Sequence, residues 1–216
     1  MTNAAERRRA IARSEPLRPA HADRREGEQR TGPRFTLLIR TAKIIAPAGE
    51  FLCIVRDVSR NGLRVKLFHP LPIEGAAEIE FANGESQAVV KVWQEGDSVG
   101  FRFPAPVEIE RLLADAPEGM RKRSVRLQLE VPAVLVAGDL RHPVSFRDIS
   151  QHGACLSCDE HLAMDERVRI ECAALPERFA RIRWRRRPLY GVIFEQSFAF
   201  DELARLTAPL QAGPAR

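Results

Sequence analysis

Residues 76–81 read AAEIEF, so that Ala77, Ile79 and Phe81 alternate with Glu78 and Glu80. RVRIEC at 167–172 repeats the arrangement with Val168, Ile170 and Cys172. A period of two is that of a strand with one buried face. Similar short runs fill most of the chain. FTLLIRTAKII, FLCIVRDV, LRVKL, AAEIEF, QAVVKVW and SVGFRF succeed one another in the first half. LQLEVPAVLV, HPVSFRDI, ACLSC, RVRIEC, RFARIRW and LYGVIF follow in the second. Breakers separate them: HPLPIEG, ANGES and EGD, then DEHLAMDE and ALPE. Each set ends in a helical pattern. PVEIERLLAD aligns Ile109, Leu112 and Leu113, and FDELARLTAPLQ aligns Leu203, Leu206 and Leu210.

The two halves are copies. RDVSRNG at 56–62 returns as RDISQHG at 147–153, 91 residues later. The same offset carries Leu71 onto Leu162, Ile79 onto Ile170, Gly100 onto Gly191 and Phe103 onto Phe194. It also carries Trp93 onto Trp184, the chain's only two tryptophans. A repeat at a fixed period marks a duplicated unit. The expected fold is mainly β: two tandem six-stranded antiparallel β-barrels, each followed by a C-terminal α-helix. Closure is expected because it removes exposed sheet edges. Residues 1–28 lack periodicity and are expected to be a disordered basic arm, with a marginal helix at 4–13. Residues 29–116 and 117–212 would be the two domains, linked by APEG at 116–119. The tryptophans are expected to pack in the barrels.

With 44% hydrophobic and 29% charged residues the composition is that of a soluble globular protein. No apolar run approaches the roughly 18–20 residues that span a bilayer, and the Arg-rich N-terminus has no apolar signal-peptide core. A cytoplasmic location is the expectation. Four cysteines (Cys53, Cys155, Cys158, Cys172) are too unevenly spaced for a disulfide framework, so reduced, mostly buried thiols are expected. The net charge of +5 comes largely from arginines at 7–34, in RKRSVR at 121–126 and in RIRWRRR at 181–187. Such a surplus suggests an anionic partner without naming one.

The repeated turn offers candidate chemistry. An Asp can accept two N–H donors from one planar group, such as the N1/N2 edge of guanine, and a Ser can donate to a phosphate or sugar oxygen. Glycine three residues later permits positive φ or close approach of a ligand to the backbone. Alternatively Asp and Ser satisfy only local backbone groups. Upstream of the first strand stands RTGPRF, placing Arg30 and Arg34 in RxxxR spacing. Guanidinium forks bind phosphate oxygens or the O6/N7 edge of guanine.

RxxxR, about 20 residues of strand, DxSxxG, a strand with VKVW and a GxxF strand, in that order, resemble the PilZ domain. The resemblance covers roughly residues 30–115 and 120–211. It implies six-stranded barrels with a C-terminal helix that bind the bacterial second messenger cyclic di-GMP. It further implies that Arg30 and Arg34 contact phosphates and guanine faces. Asp57 and Ser59 would contact a guanine edge and the phosphate or ribose, with Gly62 shaping the turn. In the second copy the corresponding set is Lys122, Arg126, Asp148, Ser150 and Gly153. Lysine lacks the planar fork of arginine, so guanine recognition there should weaken. The Arg34–Asp57 separation is 23 residues and Arg126–Asp148 is 22, so the two mouths are also expected to differ by one residue. The first copy is thus the expected better binder. The second is either a weaker site or a structural, partner-binding module. The implied protein is a non-enzymatic receptor with no cofactor, whose ligand changes its conformation or its binding of a downstream protein.

Other patterns weigh less. His152, Cys155, Cys158 and His161 form HxxCxxCxxH, but residues three apart on a strand face opposite sides, so no metal is expected. Ser150 beside His152 has no nucleophile-elbow context and no orienting acid at defined spacing. RIRWRRR on a small barrel fits single-stranded nucleic acid superficially, but aromatics are 6% of the chain and mostly core-facing. A nucleic-acid-binding barrel and a scaffold with degenerate sites, acting through protein contacts, remain as alternatives.

Overall fold

The computed structural model describes residues 35–70, 76–114 and 124–211. Arg30, Arg34, Lys122 and the N-terminal arm lie outside them. The first repeat contains β1 (Phe35–Ala46), β2 (Gly49–Ser59), β3 (Gly62–Lys66), β4 (Ala76–Phe81), β5 (Ser86–Glu95), β6 (Ser98–Arg102) and α1 (Ile109–Leu113). The second contains β7 (Leu127–Ala137), β8 (Leu140–Ser150), β9 (Gly153–Ser157), β10 (Arg167–Cys172), β11 (Leu175–Arg186), β12 (Leu189–Phe194) and α2 (Phe200–Gln211). Each set of six strands closes into an antiparallel barrel. The first has the order β1-β2-β3-β6-β5-β4 and returns to β1, and the second repeats this from β7 to β12.

Alternation decides which residues fill the barrels. Ile44, Val55, Val65, Ile79 and Val99 are fully buried in the first. Leu127, Leu135, Ile149, Leu156, Ile182 and Tyr190 occupy the second, where the Tyr190 hydroxyl donates to the Glu160 carbonyl at 2.7 Å. That bond satisfies the polar end of an otherwise apolar ring.

The repeat extends to single hydrogen bonds. Phe103 N–H donates to the Asn61 carbonyl and Phe194 N–H to the His152 carbonyl, both at 2.9 Å. Val107 N–H donates to Arg60 and Phe198 N–H to Gln151, again at 2.9 Å. The chain leaving each last strand is thereby tied to the DxSxxG turn. The helix α1 begins at Ile109, two residues after this tie. Ile109 and Leu112 still anchor the helix in the first core.

The tryptophans do not pack inside. Trp93 and Trp184 are 39% and 41% exposed on the outer wall, each across a strand pair from a glycine. A Cβ at Gly100 would sit 2.1 Å from Trp93 Nε1, and one at Gly191 would sit 1.9 Å from Trp184 Nε1. The indole covers the glycine where a side chain would stand, as cross-strand aromatic–glycine pairs do.

Helix α2 of the second repeat also packs against the first. Ala208 lies against the first core, while Leu52 of β2 is buried in the second. Phe68 meets Phe200 edge-on at 5.9 Å between ring centres. Polar groups close the joint: Gln211 Oε1 accepts from Glu50 N–H (3.0 Å), its amide donates to the Gln128 carbonyl (2.8 Å), and Gln128 N–H donates to Glu50 Oε2 (2.8 Å). Lys43, buried, is matched by Glu50 at 3.1 Å and Glu80 at 3.4 Å. A buried ammonium needs such partners, because leaving it unpaired costs several kcal/mol. No helix among the described residues is long and apolar enough to cross a membrane.

All four cysteines are free thiols, with Cys53, Cys155 and Cys158 buried. Burial pushes those three thiols up from their ordinary value, helped at Cys155 by the Asp148 carboxylate. Since the thiolate is the reactive form, a thiol reagent at neutral pH should modify Cys172 rapidly. The other three should react only on unfolding, as a count of labelled sites by mass spectrometry would check.

Candidate functional site

Both DxSxxG turns sit at the β2–β3 and β8–β9 connections. Ser59 Oγ donates to the Gly62 carbonyl at 3.1 Å, and Ser150 Oγ to the Gly153 carbonyl at 3.0 Å. The hydroxyl hydrogen therefore closes its own turn, and only the oxygen lone pairs remain for another molecule. Neither glycine has positive φ. A Cβ at Gly62 would stand 2.3 Å from the Phe101 carbonyl oxygen, and one at Gly153 2.2 Å from that of Val192. The glycines are needed for close approach of the neighbouring strand, not for turn geometry.

The aspartates differ in their partners. Arg126, the residue before β7, makes an ion pair with Asp148, so two sequence-selected residues meet at the rim of the second barrel. Beside them Ser124 Oγ lies 2.7 Å from His152 Nδ1, which pins the segment before β7 to the turn a second time. In the first barrel Asp57 is held by Arg64 of β3 at 2.6 Å, with the Asp side chain 13% exposed and the Arg 48%. Sequence reasoning missed Arg64. Its signal was available, because a β-hairpin register pairs Asp57 directly with Arg64. In the second barrel the residue paired with Asp148 is Cys155.

The strand registers also correct the expected mismatch of the mouths. Phe35 faces Val58 and Thr36 faces Asp57, just as Leu127 faces Ile149 and Gln128 faces Asp148. The irregularity lies further along, between Thr36 and Arg40 in β1 and between Gln128 and Val131 in β7. The extra residue of the first copy is absorbed in that bulge. Arg34 and Arg126 thus each directly precede a strand that enters its barrel in the same register.

The basic run of β11 is met locally. Arg183 pairs with Asp165 (3.0 Å), Arg185 contacts His161 and the Leu162 carbonyl, and Arg187 donates to the Asp159 carbonyl (2.8 Å). Arg181, Arg183, Arg185 and Arg187 are drawn over the DEHLAMDE loop, which supplies the Asp165 carboxylate and the carbonyls of Asp159, Leu162 and Asp165. The HxxCxxCxxH residues are dispersed: His152 is on Ser124, His161 on Arg185, and Cys155 and Cys158 are buried. Among the described residues no three His, Cys, Asp or Glu side chains converge as a metal site.

Residues 120–208 match the PilZ domain family. No curated protein matches the chain. Solved structures similar to it include PlzA of Borreliella burgdorferi in complex with c-di-GMP, at 9% identity and a TM-score of 0.33, covering 77% of this chain and 86% of that one. Another is the Bacillus subtilis inhibitor of motility, MotI/DgrA, at 12% identity and a TM-score of 0.33, covering 79% and 94%. A third is YcgR of Escherichia coli in complex with c-di-GMP, at 10% identity and a TM-score of 0.28, covering 77% and 81%.

The two small residues of the turn should differ in cost. Ser150→Ala removes one hydrogen bond, about 1 kcal/mol, and should lower Tm by roughly 2–4 °C. Gly153→Ala drives a Cβ into a backbone oxygen of β12 and should cost at least about twice as much. Thermal denaturation of the full chain would check this order; equal shifts would contradict the close-approach explanation.

Proposed function

We propose that the chain, whose residues 120–208 match the PilZ domain family, is a receptor for cyclic di-GMP, bound where the segment before the first strand of a barrel meets the DxSxxG turn. The observation that carries this reading is the Arg126–Asp148 ion pair. It puts a guanidinium from the pre-strand segment and the turn carboxylate on one rim, the two groups that read phosphate and guanine. The first rim is the primary site, since Arg30 and Arg34 keep the family spacing and Arg34 precedes a strand of the same register. There Asp57 takes a guanine edge, the Ser59 oxygen serves as an acceptor, and Gly62 keeps the turn against β6. Lys122, Arg126, Asp148, Ser150 and Gly153 form a weaker second site. Residues 29–116 and 117–212 are the two binding units, and the arm 1–28 precedes them.

The protein acts without chemistry of its own. Ligand orders the Arg30–Arg34 segment over the first barrel and shifts the equilibrium between arrangements that a downstream protein distinguishes, by as much as its affinity differs between them. A polymer-binding role for RIRWRRR is disfavoured by the local pairing of its arginines.

Calorimetric titration of cyclic di-GMP at low salt tests the reading. Wild type should bind with micromolar affinity, about −8 kcal/mol. Arg30→Ala/Arg34→Ala should remove most of the heat, and Lys122→Ala/Arg126→Ala should leave most of it. No heat from wild type overturns the receptor assignment. Loss of binding only in the second double variant would move the primary site to the second barrel.

A further inference from the structure

Resting on the receptor reading above, we propose that Arg64 is a specificity-determining residue of the first rim, which reads the O6/N7 edge of guanine while Asp57 reads N1 and N2. The two side chains are direct cross-strand neighbours on β2 and β3, joined at 2.6 Å through one Arg64 nitrogen and one Asp57 oxygen. A carboxylate offers about four lone-pair sites and a guanidinium five N–H groups. The ion pair therefore leaves both partners with unused capacity. Arg64 is about half exposed, so its planar fork is open to solvent, while Asp57 is nearly enclosed and held in place.

The chemistry of the pair is that of guanine and not of adenine. Around its perimeter, from the Watson–Crick edge to the Hoogsteen edge, guanine presents N2–H, N1–H, O6 and N7: two donors followed by two acceptors. Asp57 and Arg64 side by side present acceptors followed by donors in the same order. Arginine to O6 and N7 is the commonest specific base contact. Adenine carries a donor amine where guanine has O6 and lacks the N2 amine, so it meets this pair with donors opposed.

The register partner of Arg64 on β6 is Gly100, covered by the Trp93 indole. The second barrel lacks the device: Cys155, buried, stands in Arg64's place and Asp148 is taken instead by Arg126. The two rims thus differ at a position that the DxSxxG motif does not contain.

The test uses the full chain carrying Lys122→Ala/Arg126→Ala, so that the first rim is read alone. Each variant is titrated with cyclic di-GMP, with its 7-deazaguanine analogue, which lacks N7, and with the hypoxanthine analogue, which lacks the N2 amine. In that background the 7-deaza analogue should bind about tenfold more weakly than cyclic di-GMP. Arg64→Ala should weaken cyclic di-GMP by a similar factor and bring the 7-deaza ratio to about one, while the penalty for losing N2 persists. If Arg64 only positions Asp57, Arg64→Ala would erase the N2 penalty and leave the N7 penalty, which overturns the proposal. So would the absence of any N7 penalty before Arg64 is changed. Arg64→Lys, which keeps the charge without the fork, should behave as Arg64→Ala in the ratios and provides the readout if Arg64→Ala does not fold. No binding of any of the three ligands would instead remove the receptor reading, and this inference with it.

Discussion

The carbonyl oxygens of Phe101 and Val192 stand 2.3 and 2.2 Å from where a Cβ would be at Gly62 and Gly153. Backbone meets backbone there, and much else is arranged around that contact. β3 and β9 pair out of chain order with β6 and β12, one of the two such pairings that close each barrel, the other joining β1 to β4 and β7 to β10. Because the glycine lets the strands approach, the residues before it are forced into a tight connection whose serine hydroxyl caps the glycine carbonyl. The chain leaving the last strand then hydrogen-bonds back to the same turn through Phe103 and Val107, or through Phe194 and Phe198. One rim therefore carries barrel closure, the turn and the approach to the terminal helix. A mobile loop could not hold an aspartate at fixed geometry. This turn can, because both of its flanks are tied.

The joint between the repeats is linked to the rims by continuous strands. β2 begins at Gly49 and Glu50, which meet Gln211 and Gln128, buries Leu52 in the second core, and ends at Asp57 and Ser59. From Glu50 to Asp57 is seven residues, roughly 23 Å of strand. In the second repeat the distance is shorter still, since Gln128 of the joint is itself the register partner of Asp148. A displacement of either aspartate therefore loads a strand whose other contacts belong to the neighbouring barrel. Lys43 stiffens this region, because its ammonium is buried between Glu50 and Glu80, and moving Glu50 alone would strand the charge.

The β architecture was legible because period-two alternation and a 91-residue self-match are both written in single residues, such as Ile79 and Ile170. The helical pattern from Pro106 was legible too, but its start at Ile109 was not. The tryptophans misled for a different reason. Large aromatics are usually core, and only the cross-strand glycines at 100 and 191 provide the outer shelf on which they lie. At the site, Asp57, Ser59 and Gly62 could be picked out, but their reasons could not. The glycine looked like a turn residue, yet its φ is ordinary and its need comes from a strand some forty residues away in sequence. Arg64 belongs to no motif and becomes visible only when β2 and β3 are paired.

Judged by motif, the repeats differ at Lys122 against Arg30 and in a spacing of one residue. The spacing difference disappears into the β1 bulge, so the entry of the chain at both rims has the same register. A new difference replaces it. Asp57 is satisfied from within its own sheet by Arg64, whereas Asp148 depends on Arg126 from the segment before β7. In the first barrel the carboxylate is paired from within the sheet, by a residue outside the segment before β1. In the second, the same arginine must serve both Asp148 and any ligand phosphate, and drawing it away would leave a largely enclosed carboxylate without its cation. The first rim carries its own internal cation and the second does not, a distinction that follows from strand pairing and not from the repeated turn.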